Sequence, residues 1–368
     1  MKSSLRVLHV LGELRPSGAE TMFCIAAPLF AKQGVEAEIL ATGAEMGSYA
    51  PQLAQAGYKL HHIPFSKSPG FFIKLYRLMR AGNYDVFHLH TERASFWIGL
   101  VALAQRPRRV LQTIHSCFDF RGSLRWRRMI QRRIMRLLGI VHVAISPSVQ
   151  QTELAHFGLK TRLVCNWYDN NRFFQATDIE RVRARESLEI AIGETVVVCV
   201  GNCSKIKNHE SLLQALAMLP TELRPLLLHV GNEEAGQPER KLAEKLGIGE
   251  RVRFLGPMAD IRPALHAADI FVMPSLIEGF GIAVVEALAT GLPTILTDVL
   301  GLRDFRLEYE GLCYAKPDAS SLREALLVLL NESIEKRRLR AQRYPAISKQ
   351  HFGIDHGVAG YIEIYNGR

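Results

Sequence analysis

Short apolar runs recur along this chain, separated by longer segments whose apolar residues return every three or four positions. LRVLHVLG (residues 5–12) has the length and character of a strand, and AETMFCIAAPLFAKQG (19–34), closed by Gly34, has helical spacing. VEAEILATG, YKLHHIPF, YDVFHLH, RRVLQTIH and IVHVAIS continue as strands, with helical stretches between most of them. After NWYDNNRF (166–173) the alternation lapses, and the polar residues 175–194 suit a linker or a surface helix. It restarts with TVVVCVGN, RPLLLHVGN, RVRFLG, DIFVMPS, PTILTD and GLCYA as strands, with helices at about 208–219, 238–247, 260–267, 281–290 and 318–330. Short apolar strands followed by helices imply parallel βαβ units covered on both faces.

The expected fold is therefore α/β, with two Rossmann-like domains whose parallel sheets face across a cleft. The boundaries predicted are 1–174 and 175–349, with FGIDHGVAGYIEIYNGR (352–368) crossing back onto the first domain as a helix from about residue 350. Ligands of such sheets sit beyond the carboxyl ends of the strands.

Composition adds limits. The 368 residues, 48% hydrophobic and 22% charged, are ordinary for two domains that each bury a core. No apolar run reaches the ~20 residues a spanning helix needs. The N-terminus begins with a basic residue, as a signal peptide would, but Arg6, His9, Gly12 and Glu13 interrupt its apolar run. It reads as a first strand, in a chain retained in the cytosol. Cys24, Cys117, Cys165, Cys199, Cys203 and Cys313 read as reduced core thiols, and Cys199 and Cys203 lack the close pairing of a zinc site.

A net charge of +10 suits anionic partners. Much of it is local: RGSLRWRRMIQRRIMR (121–136) holds seven arginines and no acid. Trp126, Met129, Ile130, Ile134, Leu137 and Leu138 share one side of this helix and are expected to pack on the first sheet. The other side, with Arg125, Arg127, Arg128 and Arg132, is either solvated or a dock for acidic phospholipid. Without interleaved aromatics, nucleic acid is set aside as a partner.

The richest stretch is PSLIEGFGIAVVEALATGLPTILTD (274–298). Its loop follows a strand and opens a helix, where free N–H groups and the helix dipole attract phosphate. Gly279 and Gly281 allow close backbone approach. Glu278 and Glu286 can accept hydrogen bonds from hydroxyls. A sugar nucleotide presents hydroxyls at both ends and a diphosphate between them, which fits this arrangement. The plainer reading makes Glu278 a helix cap and Glu286 a surface residue. Neither half carries G-x-G-x-x-G or a Walker ending, which counts against dinucleotide redox and P-loop chemistry.

EGFGIAVVE resembles the E-x7-E motif of retaining GT-B glycosyltransferases, specifically family 4. The span LGIGERVRFLGPMADIRPALHAADIFVMPSLIEGFGIAVVEALATGLPTILTDVLGLRD resembles that family nearly throughout. SGAE resembles its N-terminal Gly-Gly-x-Glu loop, and NWYDNNRF its interdomain Asn-Gly-x-Asp segment. The resemblance implies that Glu286 binds the nucleotide ribose and that Glu278 meets the donor sugar, with the amides of Gly279, Phe280 and Gly281 nearby. It implies that Lys207 neutralises the diphosphate, where the plainer reading is a surface lysine. Asn202 stands where the family usually has arginine, and Lys205 is a candidate substitute. Ser17 and Gly18 match the loop that meets diphosphate or acceptor, while Glu20 reads better as a helix cap. His115 falls near the reacting sugar by resemblance, or is a core imidazole. His90 is a candidate for the acceptor cleft. His88 and His90 share a strand face, but no third metal ligand is evident beside them.

No D-x-D occurs, so a metal-independent transfer is expected, with a nucleoside diphosphate sugar as donor and no cofactor. The acceptor is expected to be a saccharide or lipid-linked hydroxyl, in surface polysaccharide or glycolipid assembly, with the protein cytoplasmic and peripheral to the inner face of the membrane. A sugar-nucleotide 2-epimerase and a non-catalytic sugar-binding protein share the architecture and stand as alternatives.

Overall fold

The computed structural model describes residues 4–16 and 18–367, and these form two compact units. The first contains Met1–Trp167 and Ile354–Arg368, the second Tyr168–Gly353. The crossings thus fall earlier than 174/175 and later than 349/350. The reason is local in each unit. Trp167 packs so closely on Gly357 that a Cβ there would lie 2.1 Å from its ring. Tyr168 instead donates its N–H to Phe352 and bridges Gly353.

In the first unit the strands are β1 Leu5–Leu11, β2 Val35–Ala41, β3 Lys59–His62, β4 Val86–Leu89, β5 Arg109–Ile114, β6 Val141–Ala144 and β7 Arg162–Leu163. All pair in parallel, in the order β3-β2-β1-β4-β5-β6-β7. The helices are α1 Gly18–Lys32, α2 Ala50–Gln55, α3 Pro69–Gly82, α4 Ser95–Leu103, α5 Gly122–Leu137 and α6 Pro147–Phe157. Order reverses at β1/β4, and right-handed crossovers put α3 to α6 on one face of the sheet. Phe71, Leu75 and Met79 of α3, Ile98 and Ala102 of α4, and Met135 of α5 fill a core against Val10, Phe87 and Leu89 there.

In the second unit the strands are β8 Val196–Val200, β9 Leu226–Val230, β10 Val252–Phe254, β11 Ile270–Met273, β12 Thr294–Thr297 and β13 Cys313–Ala315, in the order β10-β9-β8-β11-β12-β13. The helices are α7 Asp178–Ser187, α8 His209–Ala217, α9 Pro238–Lys245, α10 Arg262–Ala267, α11 Ile282–Ala289, α12 Ala319–Leu330, α13 Ile334–Ala341 and α14 Tyr344–Phe352. The final helix, α15 Ile354–Tyr365, belongs to the first unit and packs on α1.

Within the polar stretch 175–194 lies the helix α7, Asp178–Ser187. Thr177 and Glu180 form a reciprocal cap on α7. Its Arg181 donates to Asp269 (2.7 Å), whose other oxygen accepts the N–H of Val196 (2.9 Å), so α7 is tied to the start of β8. Strand β7 and helices α13 and α14 had no clear signature in the apolar pattern.

Helix α5 reverses the expected sidedness. Arg132 is 3% exposed and is withdrawn from any outer face. Its guanidinium donates to Glu153 (2.6 and 3.0 Å) and Glu92 (3.0 and 3.3 Å), and lies 4.4 Å from the Phe157 ring centroid. Arg128 is half-buried beside Glu92 and Phe120. Trp126, at 65% exposed, Ile130 and Leu137 turn outward instead of onto the sheet. Glu153 is fully buried, and a buried carboxylate without a cation costs more than several exposed apolar side chains. Arg125 and Arg127 are exposed.

Candidate active site

In the second unit, strand order reverses between β8 and β11, so the loops beyond their carboxyl ends diverge. Leu276 N–H donates to Ile206 O (2.8 Å) and Asn208 Nδ2 to Pro274 O (3.0 Å), holding the two loops together. Across this seam Lys207 Nζ meets Glu278 Oε1 at 2.5 Å, and Ser275 Oγ donates to the same oxygen at 2.7 Å. Residues 71 positions apart in sequence thus form an ion pair, with Glu278 only 12% exposed. Ser275 escaped sequence reasoning because its role depends on a fully buried side chain meeting that carboxylate.

The loop after β11 is held from beneath. Phe280 is 4% exposed and packs on Phe305 and Phe352, with ring centroids 5.6 and 5.4 Å away. Glu278 N–H donates to Leu300 O (3.1 Å). Gly301 passes so near that a Cβ would lie 2.3 Å from Glu278 O. Gly281 caps α11 with φ +89°, a left-handed conformation that favours glycine. Val284 and Val285 already donate their N–H groups to Gly281 O (3.0 and 3.4 Å), which leaves those of Ile282 and Ala283 without an intrahelical acceptor.

Glu286 is half-buried on α11. Loss of solvation pushes its carboxyl up to about 8, Arg172 opposes the rise, and Asp169 adds to it. Both neighbours come from the NWYDNNRF segment, which sequence reading recognised without assigning a residue. Asn202 is exposed, and its Oδ1 accepts from Asn232 N (2.9 Å) and Nδ2 (3.2 Å), so it braces the loops after β8 and β9. Lys205 is exposed. Beneath these loops Cys203, His209 and His229 are buried within 4.8 Å of one another, and burial pushes the Cys203 thiol up to about 12 and His209 down to about 3.

This arrangement holds a cation and an anion in mutual neutralisation beside a helix N-terminus. Chemically, the ammonium is of a kind that can bind an anion and the carboxylate of a kind that can accept from hydroxyls.

In the first unit His90 and His115 are brought together at the ends of β4 and β5. His90 Nδ1 and His115 Nε2 share a hydrogen bond of 3.1 Å, and His90 Nε2 and His9 Nδ1 another of 3.2 Å. His9 on β1 is the third imidazole that spacing alone did not reveal, and the nitrogens of His9, His88 and His90 lie within 4.8 Å. Both ring nitrogens of His88 are engaged, with Tyr365 (2.8 Å) and Thr113 (2.7 Å), as are both of His90. His9, His90 and His115 thus form a hydrogen-bonded row, with His88 packed beside it on Tyr365 and Thr113. Gly18 opens α1, and Glu20 is buried in its first turn; Ser17 lies outside the described residues.

Burial lowers His9 to about 3 and His115 to about 4, and takes His88 and His90 well below the ordinary range. The row is neutral at pH 7, whereas an unfolded chain protonates near the ordinary 6.5. Stability is therefore expected to fall as pH drops from 6.5 toward 4. A melting temperature that holds steady across that interval contradicts this account of the row. His9→Gln, which keeps a partner for His90 but cannot titrate, should flatten the slope.

Residues 180–344 match the profile described as Glycosyl transferases group 1, and residues 16–172 that described as Glycosyltransferase Family 4. The chain is 28% identical to EpsF of Bacillus subtilis (strain 168) over 315 residues, 80% of each chain. It is 28% identical over 309 residues to the D-inositol 3-phosphate glycosyltransferase of Corynebacterium urealyticum, covering 77% of this chain and 71% of that one. The structure of HepE from Anabaena, in complex with UDP and glucose, superposes with a TM-score of 0.83 over 99% of this chain and 100% of that one, at 20% identity. That likeness is one of fold.

Proposed function

We propose that this chain, whose two halves match glycosyltransferase profiles and whose fold is GT-B, moves a sugar from a nucleoside diphosphate sugar to a hydroxyl acceptor with retention of anomeric configuration. The observation that carries this reading is the Lys207–Glu278 pair at the β8/β11 seam, next to the N-terminus of α11. Lys207 and the amides of Gly279 to Gly281 take the diphosphate, Glu278 the sugar hydroxyls, and Glu286 the ribose. Support for a donor of this class comes also from HepE, which was solved with UDP and glucose.

In the reaction the bond between the anomeric carbon and the phosphate oxygen breaks as the acceptor oxygen bonds to the same face. The acceptor proton passes to an oxygen of the departing diphosphate, so no carboxylate base is required. Lys207 and the helix amides stabilise the charge that develops there. With an ammonium and helix amides in that role, and no D-x-D in the chain, transfer is metal-independent on this reading. Turnover that survives excess chelator supports it, and loss restored only by a divalent ion overturns it. His115 and His90, both of the first unit, are proposed as substrate contacts, with His90 assigned to the acceptor.

The test of the donor site is a crystal soaked with UDP or GDP. Nucleotide beside residues 278–286 supports the reading, and nucleotide elsewhere removes it. Product analysis with and without acceptor then separates transfer from isomerisation or simple binding.

The acceptor is lipid-linked on this reading, as in surface polysaccharide or glycolipid assembly, and the protein works at the inner membrane face. No helix of the described residues is long and apolar enough to cross a membrane. Support comes from α5, which presents Trp126, Ile130 and Leu137 outward among exposed Arg125, Arg127, Arg133 and Arg136. Reversing Arg125, Arg127 and Arg133 to glutamate should abolish binding to acidic liposomes at low salt and leave the melting temperature nearly unchanged. Arg132→Glu is a different experiment. It puts a third carboxylate beside Glu92 and Glu153 and should cost about 3–5 kcal/mol or prevent folding. Persistent liposome binding by the triple variant removes the membrane assignment.

A further inference from the structure

Helices α3, α4 and α5 lie side by side on one face of the first sheet, and none of them contains an aspartate or glutamate. Lys74, Arg77 and Arg80 on α3 are exposed, as are four arginines of α5: Arg125, Arg127, Arg133 and Arg136. Large apolar side chains stand out between them. Ile73 is 51% exposed, Tyr76 44%, Trp97 37% and Ile130 53%. Between α3 and α4 this surface sinks into an apolar groove of about 680 Å³, lined by Phe72, Ile73, Tyr76, Trp97, Leu100 and Ala104. That size lies within the range of ~300–1,000 Å³ typical of small-molecule sites.

The groove has a direction. Both helices return from the carboxyl ends of parallel strands, so they run the same way. Phe72 and Trp97, with ring centroids 6.3 Å apart, lie in their opening turns. That is the end of the sheet where His90 and His115 sit. Thr91 Oγ1 lies 3.5 Å from Ser95 Oγ at the start of α4, one residue beyond His90.

We infer that the α3–α4 groove binds a single alkyl chain of an anionic lipid, with Arg77 and its basic neighbours taking the phosphate. The inference rests on the reading of the acceptor as lipid-linked and extends it from the α5 surface to a defined site. The absence of acids is what selects a lipid over a protein partner. A surface carrying cations of one sign only, with tryptophan and tyrosine at its edges, complements a negatively charged bilayer interface.

The chain has three tryptophans, and Trp167 is 1% exposed, so in Trp126→Phe the accessible one is Trp97. Vesicles of phosphatidylglycerol with brominated acyl chains should quench that emission at least about twofold, since interfacial tryptophan contacts the chains. Ala104→Phe, added to fill the groove from an exposed position, should remove most of the quenching while sedimentation with the vesicles persists. A soluble brominated alkyl phosphate, used below its micelle concentration, should quench Trp97 in the same Ala104-dependent way. Vesicle binding with Trp97 unquenched by either probe overturns the groove and leaves the membrane reading intact. No vesicle binding, with quenching by the soluble probe, overturns the membrane reading and keeps the groove. A dimer that forms in solution and is lost in Ala104→Phe assigns the groove to a second copy and overturns the inference.

Discussion

Lys207→Ala should lower kcat about 100- to 1000-fold, the usual cost of losing one group that stabilises developing negative charge. The dissociation constant for the nucleoside diphosphate should rise much less, by about tenfold or under, because a partly exposed ion pair is worth little net energy in the ground state. In the free protein Lys207 is already engaged with Glu278 at 2.5 Å. Binding a diphosphate exchanges one anionic partner for another, whereas the departing diphosphate presents charge that Glu278 never did. Removing the lysine also leaves Glu278 with Ser275 as its remaining partner at that oxygen, and the bare carboxylate repels phosphate. Lys207→Ala/Glu278→Gln separates the two effects. If repulsion weakens binding, the double variant recovers affinity without recovering turnover. Equal losses in kcat and affinity for the single variant would reduce Lys207 to an anchor. Lys207→Arg should rescue poorly, since a planar fork does not replace a compact ammonium in a space shared with Glu278 and Ser275.

Glu286→Ala should raise the nucleotide dissociation constant about 10- to 100-fold, as a hydroxyl pair loses a charge-assisted acceptor. The pH dependence is more diagnostic. With its carboxyl pushed up to about 8, Glu286 is largely protonated at neutrality. Accepting from ribose hydroxyls favours the carboxylate, so binding should release a proton below pH 8. Affinity should therefore rise with pH by up to about tenfold per unit and level off near 8, and Glu286→Gln should flatten that rise. Titration calorimetry in buffers of different ionisation enthalpy reads the proton directly; a flat profile in the parent protein removes Glu286 from the ribose. The same group affects stability. Its folded value lies above the ordinary 4.5, so the folded state holds the proton more tightly and stability falls as pH climbs from 4.5 to 8. This runs opposite to the imidazole row of the first unit, and Glu286→Gln should gain in melting temperature over the parent at pH 9 more than at pH 5.

Much of this protein was legible one residue after another. Parallel strands that are buried on both faces must be short and apolar, and the helices between them must be amphipathic, so βαβ alternation is written locally. The loop carrying Glu278, Gly279, Phe280, Gly281 and Glu286 was equally plain, because a strand, two glycines and a helix start are adjacent in the chain. The reading weakened where a residue's role depends on a distant partner. Asn202 looked like a weakened cation site, and its side chain turned out to brace Asn232.

By itself, then, the sequence determined the α/β class, the order of most strands and helices, and the position of the carboxylate loop at a strand's end. Periodicity and turn chemistry need only near neighbours. The tertiary structure alone decided which side of α5 turns inward, that His9 completes the row with His90 and His115, and that Lys207 closes on Glu278. Each of these is a contact between segments tens of residues apart, and its energy comes from burying charge or polar groups against a partner that no local pattern announces. For α5 the deciding groups were Glu92 and Glu153, two acids outside the helix whose need for a cation outweighed the apolar stripe along it.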